Sequence, residues 1–327
     1  MNMPTELPLG HEQGDHDAPM LSVVIPVYNE EAVLAALFER LYRSLDALHI
    51  RYEIIFIDDG SRDRSTALLA SQFEQRPDVT RVILLNGNFG QHRAILAGFE
   101  HCRGERVMTL DADLQNPPEE IPRLLAAMDE GHDCVGTVRQ DRQDKAWRRW
   151  ASRAMNKLRH GLTGIEMNDH GSMMRAYSRR VIGLINQCSE MNTFIPALAL
   201  QFAENPTEVE IAHEARHAGE SKYSLYRLIR LNFDLVTGFS LVPLQAFSML
   251  GIVVSLLSGA LFVLLAARRL YFGPEEGGVF TLFALLFLLM GLALFGIGLL
   301  GEYVGRIYQE VRSRPRYVIN AILERKP

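Results

Sequence analysis

The chain has little cysteine, and the part that precedes its long apolar runs lacks the short glycine-rich motifs that commonly bind nucleotides. Its three cysteines, Cys102, Cys134 and Cys188, lie far apart and form no C-x-x-C pair. This spacing argues against a zinc site and a disulfide framework, and it fits a reducing compartment. Between residues 20 and 222 the sequence contains neither G-x-x-x-x-G-K nor G-x-G-x-x-G. That absence weakens a kinase, ATPase or dehydrogenase interpretation.

Strong positive charge and a targeting segment are also missing. The formal net charge is −5, so the chain has no overall attraction to nucleic acid, and we expect no nucleic-acid partner. Residues 1–19 are polar, acidic and rich in glycine and proline, without the basic start and apolar core of a signal peptide. We expect them to form a flexible N-terminal tail.

What the sequence does contain is two long uncharged apolar runs near the C-terminus. They span residues 247–267 and 279–301. At 1.5 Å per residue, a helix of either length would cross a hydrocarbon core of about 30 Å. Two buried helices of a soluble domain are the alternative, but the length of the runs and the short connection between them favour a transmembrane hairpin.

Basic residues around the two runs predict the orientation of the hairpin. Lys222, Arg227 and Arg230 precede the first run, and four arginines follow the second: Arg306, Arg312, Arg314 and Arg316. The connecting loop carries both arginines and glutamates. The positive-inside rule therefore predicts a multi-pass protein with both termini and the large N-terminal part in the cytoplasm.

Before the apolar runs, short apolar stretches alternate with segments of helical periodicity. Stretches such as LSVVIPV, YEIIFIDD and RVMTLDA predict strands, and EEAVLAALFERLYRSLDAL and HRAILAGFEHC predict helices. This alternation predicts an α/β fold, with a mostly parallel sheet and helices on both faces. Ligands bind beyond the carboxyl ends of such strands, where the acidic motifs PVYNEE, DDGSRD and DADLQ fall.

The stretch TLDADLQNPPEE, residues 109–120, ends an apolar run on two aspartates. If the strand continues this far, Asp111 and Asp113 project from one face, because residues i and i+2 of a strand do so. Adjacent carboxylates repel unless a cation lies between them. A polar turn with solvated acids is the alternative. Pro117 and Pro118 keep the segment from becoming helical before the next helix starts.

Asp58 and Asp59 stand at the predicted end of another strand, before Gly60 and Ser61. A carboxylate there could accept hydrogen bonds from a ribose or a base. The motif alone is better explained by a turn and a helix N-cap, for which Asp-Gly-Ser is ordinary chemistry.

Taken together, P-V-Y-N-E, D-D-G-S and D-A-D resemble the motifs of the inverting family-2 glycosyltransferases of GT-A fold. The resemblance covers nearly the whole chain from about residue 20. It includes NGNFGQHRAILAGF, LDADLQNPPEEIPRL, GTVRQDRQD, HGSMMRAY, GESKYS and GLLGEYVGRIYQEVRSRPRY, which are similar to segments of the polyprenyl-phosphate glycosyltransferases. It implies a Rossmann-like catalytic domain in the bacterial inner membrane, with a UDP-sugar donor, undecaprenyl phosphate as acceptor and membrane lipid as a partner.

The resemblance also implies roles for individual residues. Asp111, Asp113 and Gln115 would hold Mg²⁺ or Mn²⁺, with the Gln115 amide on the same face if the chain stays extended. The cation would neutralise the leaving diphosphate. The nucleotide would lie among five residues: Pro26, Tyr28, Glu30, Asp58 and Asp59.

The acceptor sets the rest of the predicted chemistry. A phosphomonoester carries roughly −1.5 to −2 charges near neutrality, so it needs no general base. Asp169 lies where related enzymes have an acid near the acceptor, and it could orient a basic partner instead of abstracting a proton. Arg139 and Arg175 are predicted catalytic cations, because two anionic substrates must meet. The predicted acceptor-phosphate residues are Arg139, His170, Ser221 and Lys222.

These predictions divide the chain into five parts. A tail (1–19) precedes a GT-A catalytic domain (20–222), an interfacial amphipathic segment (223–246), the hairpin (247–301) and a cytoplasmic C-terminal tail (302–327). Residues 223–239 place apolar side chains at helical spacing with arginines opposite, which favours a helix on the membrane surface. The basic run 139–159 is either a solvated helix face or a stripe facing anionic lipid. The C-terminal tail, through its arginine-rich stretch VRSRPRY, could also support a homo-oligomer.

Several functions remain open at this point. The resemblance favours transfer of 4-deoxy-4-formamido-L-arabinose for lipid A modification and polymyxin resistance, but glucose from UDP or mannose from GDP would need the same site. A processive polysaccharide synthase is less compatible, because KAWRRW at 145–150 lacks the glutamine of a Q-x-x-R-W motif. A membrane scaffold that binds a nucleotide sugar without catalysis is the alternative from another class.

Overall fold

The computed structural model describes residues 18–139, 172–188, 194–212, 242–272, 279–312 and 314–325. Five earlier predictions lie outside these ranges: those for Asp169, His170, Ser221, Lys222 and the amphipathic helix at 223–239. The same holds for most of the N-terminal tail and of the basic run.

Strands and helices alternate along the first half of the chain, as the sequence predicts. The strands are β1 (Leu21–Val27), β2 (Tyr52–Asp58), β3 (Thr80–Leu85), β4 (Arg106–Thr109), β5 (Cys134–Arg139), β6 (Arg175–Ser178), β7 (Pro206–Ile211) and β8 (Ile319–Leu323). The helices are α1 (Leu34–Asp46), α2 (Ser65–Gln75), α3 (Gln91–His101), α4 (Ile121–Asp129), α5 (Arg179–Gln187), α6 (Ile195–Phe202), α7 (Val242–Phe272) and α8 (Val279–Val311), and a 3₁₀ turn at Pro118–Glu120 precedes α4.

All these strands join one sheet in the order β7-β5-β6-β4-β1-β2-β3-β8. Strands β4, β1, β2 and β3 are parallel and form its centre. Strand β6 runs antiparallel to both β4 and β5, and β8 runs antiparallel to β3. The predicted α/β fold with a mostly parallel sheet is confirmed.

Helices cover both faces of the sheet because the central strands are apolar on both sides. Along β1, Val23 and Ile25 point into one hydrophobic cluster and Val24 into the other. Helices α1 and α4 cover the first face, and α3, α5 and α6 cover the second. Helix α1 faces the sheet with leucines spaced three or four residues apart, as an amphipathic helix requires.

The two C-terminal helices carry their apolar side chains outward. Stretches within them at Leu244–Leu261 and Leu285–Gly305 have mean hydropathies of 1.9 and 2.2, and almost none of either stretch is buried inside the protein. Both helices extend beyond the uncharged runs that predicted them. They meet where the Phe247 ring lies 5.7 Å from that of Phe295 and fills the space beside Gly296. Length, composition and exposure fit two membrane spans.

After α8 the chain returns to the eight-stranded sheet, and the sequence patterns did not predict this return. Strand β8 pairs with β3, and Glu324 just beyond it forms ion pairs with Arg81 at 2.9 Å and Arg103 at 2.8 Å. Arg81 is buried and also binds Glu53 at 2.9 Å. The segment after the second apolar helix is therefore part of the same folded unit as the sheet.

Candidate active site

The acidic motifs converge at the carboxyl ends of the central parallel strands. From β1 the chain continues to β2 on one side, whereas β4 lies on the other side of β1. In open α/β sheets such a reversal of strand order marks the usual ligand position, which here is the crevice expected beyond β1 and β4. Tyr28 and Asp59 follow directly on β1 and β2, and Asp111 lies two residues beyond the end of β4.

Hydrogen bonds hold together the loops that follow β1 and β2. The Asn29 backbone N–H donates to Ser61 Oγ at 3.0 Å, and the Arg62 N–H donates to Asn29 Oδ1 at 2.8 Å. The Glu30 N–H donates to Ser65 Oγ at 2.9 Å. These bonds fix the segment carrying the predicted nucleotide residues Pro26, Tyr28 and Glu30. The side chain of Tyr28 is 41% exposed at the end of β1, where a planar base could lie against it.

Asp58 has the turn-forming role that the sequence analysis weighed against nucleotide binding. It is 3% exposed, and its two oxygens accept hydrogen bonds from the Ser61 N–H at 3.0 Å and the Thr66 hydroxyl at 2.5 Å. Its carboxylate thus shapes the turn into α2. A direct contact between Asp58 and a nucleotide stays a prediction.

Asp59 anchors the next loop from within the protein. Its carboxylate accepts the backbone N–H groups of Phe89 at 2.7 Å and Gly90 at 2.9 Å. Burial raises the pKa of the Asp59 carboxyl, and the two backbone donors oppose that rise. Gly60, at φ +71°, passes so close to Gly87 that a Cβ would lie 2.5 Å from its carbonyl carbon. Only glycine fits there.

The geometry around Asp111 differs from the extended strand on which one prediction depended. Strand β4 ends at Thr109, and a turn follows in which Leu114 has a φ of +59°. The Asp113 carboxylate accepts the Gln115 N–H at 3.1 Å, as in an Asx turn. The condition that the strand continues to Asp113 is therefore not met, and Asp111, Asp113 and Gln115 do not share a face of an extended strand. The turn, rather than strand alternation, sets the direction of these side chains.

Two amide side chains that the sequence analysis did not identify approach Asp111. Gln91, the first residue of α3, donates from Nε2 to Asp111 Oδ1 at 2.7 Å. Asn116 Nδ2 lies 3.5 Å from Asp111 Oδ2. Gln91 is distant in sequence, and Asn116 is returned to Asp111 by the turn at Leu114. Neither contact follows from a local pattern, although both residues lie in segments that carry the family resemblance.

The predicted cations occupy the strands beside the crevice. Arg175 opens β6, opposite Thr109 of β4, and is fully buried next to Gly136 and the Ser172 carbonyl. Arg139 ends β5, at the limit of the described residues. The structure thus brings Arg175 to the end of β4. Contacts of either arginine with a substrate stay predictions.

A divalent cation fits the chemistry of the loop after β4. Carboxylate and amide oxygens are present at Asp111, Asp113, Gln115 and Asn116, and these are hard donors suited to Mg²⁺ or Mn²⁺. Within the described ranges, no three His, Cys, Asp or Glu side chains are grouped so as to hold a metal ion by themselves. That donor set suits a cation that one or two carboxylates share with substrate phosphates and water.

Comparison with known proteins places the chain in a family. The sequence model of glycosyl transferase family 2 matches residues 22–184. The chain is 52% identical over 305 residues to an undecaprenyl-phosphate 4-deoxy-4-formamido-L-arabinose transferase of Edwardsiella ictaluri, covering 93% of this chain and 94% of that protein. It is 51% identical to the transferase of the same name from Serratia proteamaculans, covering 94% and 95%.

Solved structures show weaker similarity. The structure is similar to glucosyl-3-phosphoglycerate synthase from Mycobacterium tuberculosis, with 19% identity, a TM-score of 0.46 and coverage of 67% of this chain and 78% of that one. For S. aureus TarS the identity is 16% and the TM-score is 0.41, and the match covers 58% of this chain and 57% of that one. The similarity to the two transferases is much stronger, because 52% and 51% of the aligned residues are identical over almost the whole chain. The chain therefore belongs to glycosyl transferase family 2 and, within it, to the undecaprenyl-phosphate 4-deoxy-4-formamido-L-arabinose transferases.

Proposed function

We propose that this glycosyltransferase moves 4-deoxy-4-formamido-L-arabinose from UDP to undecaprenyl phosphate at the cytoplasmic face of the bacterial inner membrane. One observation carries the proposal: identity of 52% over 93% of the chain to a transferase named for that sugar and that acceptor. The product would serve lipid A modification and so resistance to polymyxin.

The donor would lie in the crevice at the ends of β1, β2 and β4. Tyr28 is exposed there for the base, and Pro26, Glu30 and Asp59 border the same loops. Asp111 and Asp113, with Gln115, would hold Mg²⁺ or Mn²⁺ in the neighbouring loop. When bound, the cation neutralises charge on the departing diphosphate.

Transfer to a lipid phosphate would depend on positioning and charge. The acceptor oxygen is already anionic, so no residue has to remove a proton from it. Arg139, Arg175 and Lys222 would balance the two anionic substrates, with Ser221 and His170 near the acceptor phosphate. Asp169 would orient one of these cations. The exposed apolar faces of α7 and α8 would lie in the bilayer that holds the polyprenyl chain.

The direct test is transfer by the purified full-length protein with undecaprenyl phosphate and Mg²⁺ or Mn²⁺. UDP-4-deoxy-4-formamido-L-arabinose, UDP-glucose and GDP-mannose are offered in parallel, and the lipid product is identified by its mass. We expect product from the formamido donor alone. Product from a hexose donor alone would contradict the sugar assignment while leaving the acceptor and the fold in place.

A pair of aspartate variants controls this test. Asp111→Asn should lower turnover by two or more orders of magnitude, on the order of the effect of removing one charge-stabilising group. Asp78→Asn, which changes an exposed aspartate paired with Arg76, should leave turnover unchanged. Normal turnover of Asp111→Asn would exclude Asp111 as a metal ligand. A protein that binds UDP-sugar but never forms product would favour the scaffold alternative.

A further inference from the structure

The Asp111 carboxylate is approached by amide groups from two separate segments. Gln91 Nε2 donates to Oδ1 at 2.7 Å from the start of α3. Asn116 Nδ2 faces Oδ2 at 3.5 Å from within the same loop. Each oxygen of Asp111 thus has its own neutral donor. A carboxylate with one donor on each oxygen has far less rotational freedom than a solvated one.

The orientation of the Asn116 amide is informative because it leaves a buried oxygen unsatisfied. Asn116 is 3% exposed, and its Oδ1 has no hydrogen-bond partner among the described residues. An unsatisfied buried acceptor costs about 1–3 kcal/mol. Turning the amide round would place two acceptor oxygens against each other, so the Asp111 carboxylate itself dictates this orientation.

The strained backbone of Leu114, in the same loop, helps to bring Asn116 to Asp111. Leu114 has a φ of +59°, a conformation that costs an L-residue with a branched side chain about 1–2 kcal/mol. The Leu114 side chain is 1% exposed in the hydrophobic core, and its burial offsets that cost. The left-handed turn reverses the chain and returns Asn116 to Asp111.

We propose that Gln91 and Asn116 are positioning residues that fix the Asp111 carboxylate in one orientation before the cation binds. This inference rests on the proposed function, because it takes Asp111 as a ligand of the divalent cation. Neutral amides suit the task, since they orient the carboxylate without cancelling the charge that attracts the cation. A lysine or arginine in either place would compete with the metal for the same oxygens.

The test measures Mn²⁺ affinity directly. Full-length protein in detergent is titrated with Mn²⁺ in the presence of UDP, and free Mn²⁺ is followed by electron paramagnetic resonance. We expect Gln91→Leu and Asn116→Leu each to weaken Mn²⁺ binding about tenfold or more, the usual effect of losing a group that orients a metal ligand. In transfer assays the apparent Mn²⁺ constant should rise more than kcat at saturating Mn²⁺ falls.

Matched controls separate positioning from general loss of structure. Asn186 also has an unpartnered buried Oδ1, but its Nδ2 donates to the Phe99 carbonyl, away from the crevice. Asn186→Leu and the exposed Gln75→Leu should leave Mn²⁺ affinity unchanged. If Asn116→Leu does not fold, Gln91→Leu decides alone, because Gln91 is exposed.

The outcomes distinguish this inference from the function on which it rests. If Asp111→Asn abolishes Mn²⁺ binding while both amide variants bind Mn²⁺ as the wild type does, the positioning role is wrong and the metal site stands. If Asp111→Asn itself binds Mn²⁺ normally, the metal assignment and the positioning role are both overturned.

Discussion

His92 lies in the first turn of α3, next to the residue that binds Asp111. Its ring packs edge-on against Phe194, with centroids 5.2 Å apart, and its Nδ1 has no hydrogen-bond partner among the described residues. Burial lowers the pKa of His92 to about 4. The side chain is therefore neutral near pH 7 and acts as a packing residue. This agrees with the structural role that a lone histidine without metal-ligand spacing suggests.

The pKa of His92 predicts a loss of stability in mild acid. An unfolded histidine titrates near its ordinary value of about 6.5. As the pH falls from there towards 4, the unfolded chain binds a proton that the folded protein does not, so the contribution present above pH 6.5 is progressively lost. This contribution of His92 to the free energy of unfolding amounts to at most about 3 kcal/mol.

Thermal unfolding followed by circular dichroism between pH 4 and 7 measures this loss. His92→Phe keeps the aromatic contact and should flatten the pH dependence. His49→Asn should not change it, because His49 is exposed and asparagine tolerates its φ of +53°. An equally steep pH dependence in His92→Phe would show that other groups cause it.

At the scale of elements, the C-terminal strand contacts both the sheet and the site. The Asn86 N–H donates to the Val318 carbonyl at 3.0 Å, at the start of the loop whose Phe89 and Gly90 bind Asp59. The same loop leads into Gln91 and its bond to Asp111. The segment that follows the second apolar helix thus supports the loop that borders the crevice.

Glu324 provides a test of this support. Glu324→Ala removes the ion pairs with Arg81 and Arg103, and it leaves buried Arg81 with Glu53. We expect the free energy of unfolding to fall by about 1.5–3 kcal/mol, the range for hydrogen bonds to charged groups. Urea titration of the detergent-solubilised protein measures the change.

The matched control for Glu324 is Glu39→Ala. Glu39 pairs with Arg43 at 2.6 Å on the exposed face of α1, and such a pair contributes about 0.5 kcal/mol or less. Equal effects of the two substitutions would mean that Glu324 adds no more than a surface ion pair.

The elements that sequence patterns predicted are those whose apolar residues follow one period. β1 and β2 are buried on both faces, so a continuous apolar run identifies each of them. β6 has only four residues, RAYS, and β7 is mostly half-exposed, so neither has a distinctive pattern. β8 is recognisable only through its partner β3, far away in the chain.

The candidate site likewise has parts that sequence patterns predicted and parts that they did not. Sequence patterns located the acidic motifs at strand ends, because strand ends follow from apolar runs. The partners of those acids could not be predicted, since Phe89 and Gln91 reach Asp59 and Asp111 across the fold. The turn at Leu114 escaped prediction because a leucine with positive φ contradicts its own preference and is imposed by packing.

For the molecule as a whole, the two apolar helices stand between strands of a single sheet. β7 precedes them, β8 follows them, and both strands belong to that sheet. If α7 and α8 cross the membrane as a hairpin, the chain leaves and re-enters on the same side, as the pairing of β8 with β3 requires. The sheet topology is thus consistent with a hairpin of two spans.

Cysteine labelling tests this arrangement. In a background with the three native cysteines replaced by alanine, Glu39→Cys reports on the catalytic domain and Gly277→Cys on the connection between the helices. A membrane-impermeant maleimide should label Glu39→Cys only in inside-out vesicles and Gly277→Cys only in right-side-out vesicles. Detergent should make both sites reactive. Labelling of both from one face would rule out a spanning hairpin.

The position of β8 at the end of the chain also has a consequence for biosynthesis. Arg81 and Glu324 are 243 residues apart, so translation at about 5–20 residues per second separates their synthesis by roughly ten to fifty seconds. Throughout that interval β3 is an open sheet edge, which invites pairing with other nascent chains. A ribosome that stalls before residue 319 leaves this edge uncovered. Closure of the sheet thus occurs only in a chain whose two apolar helices have already been synthesised.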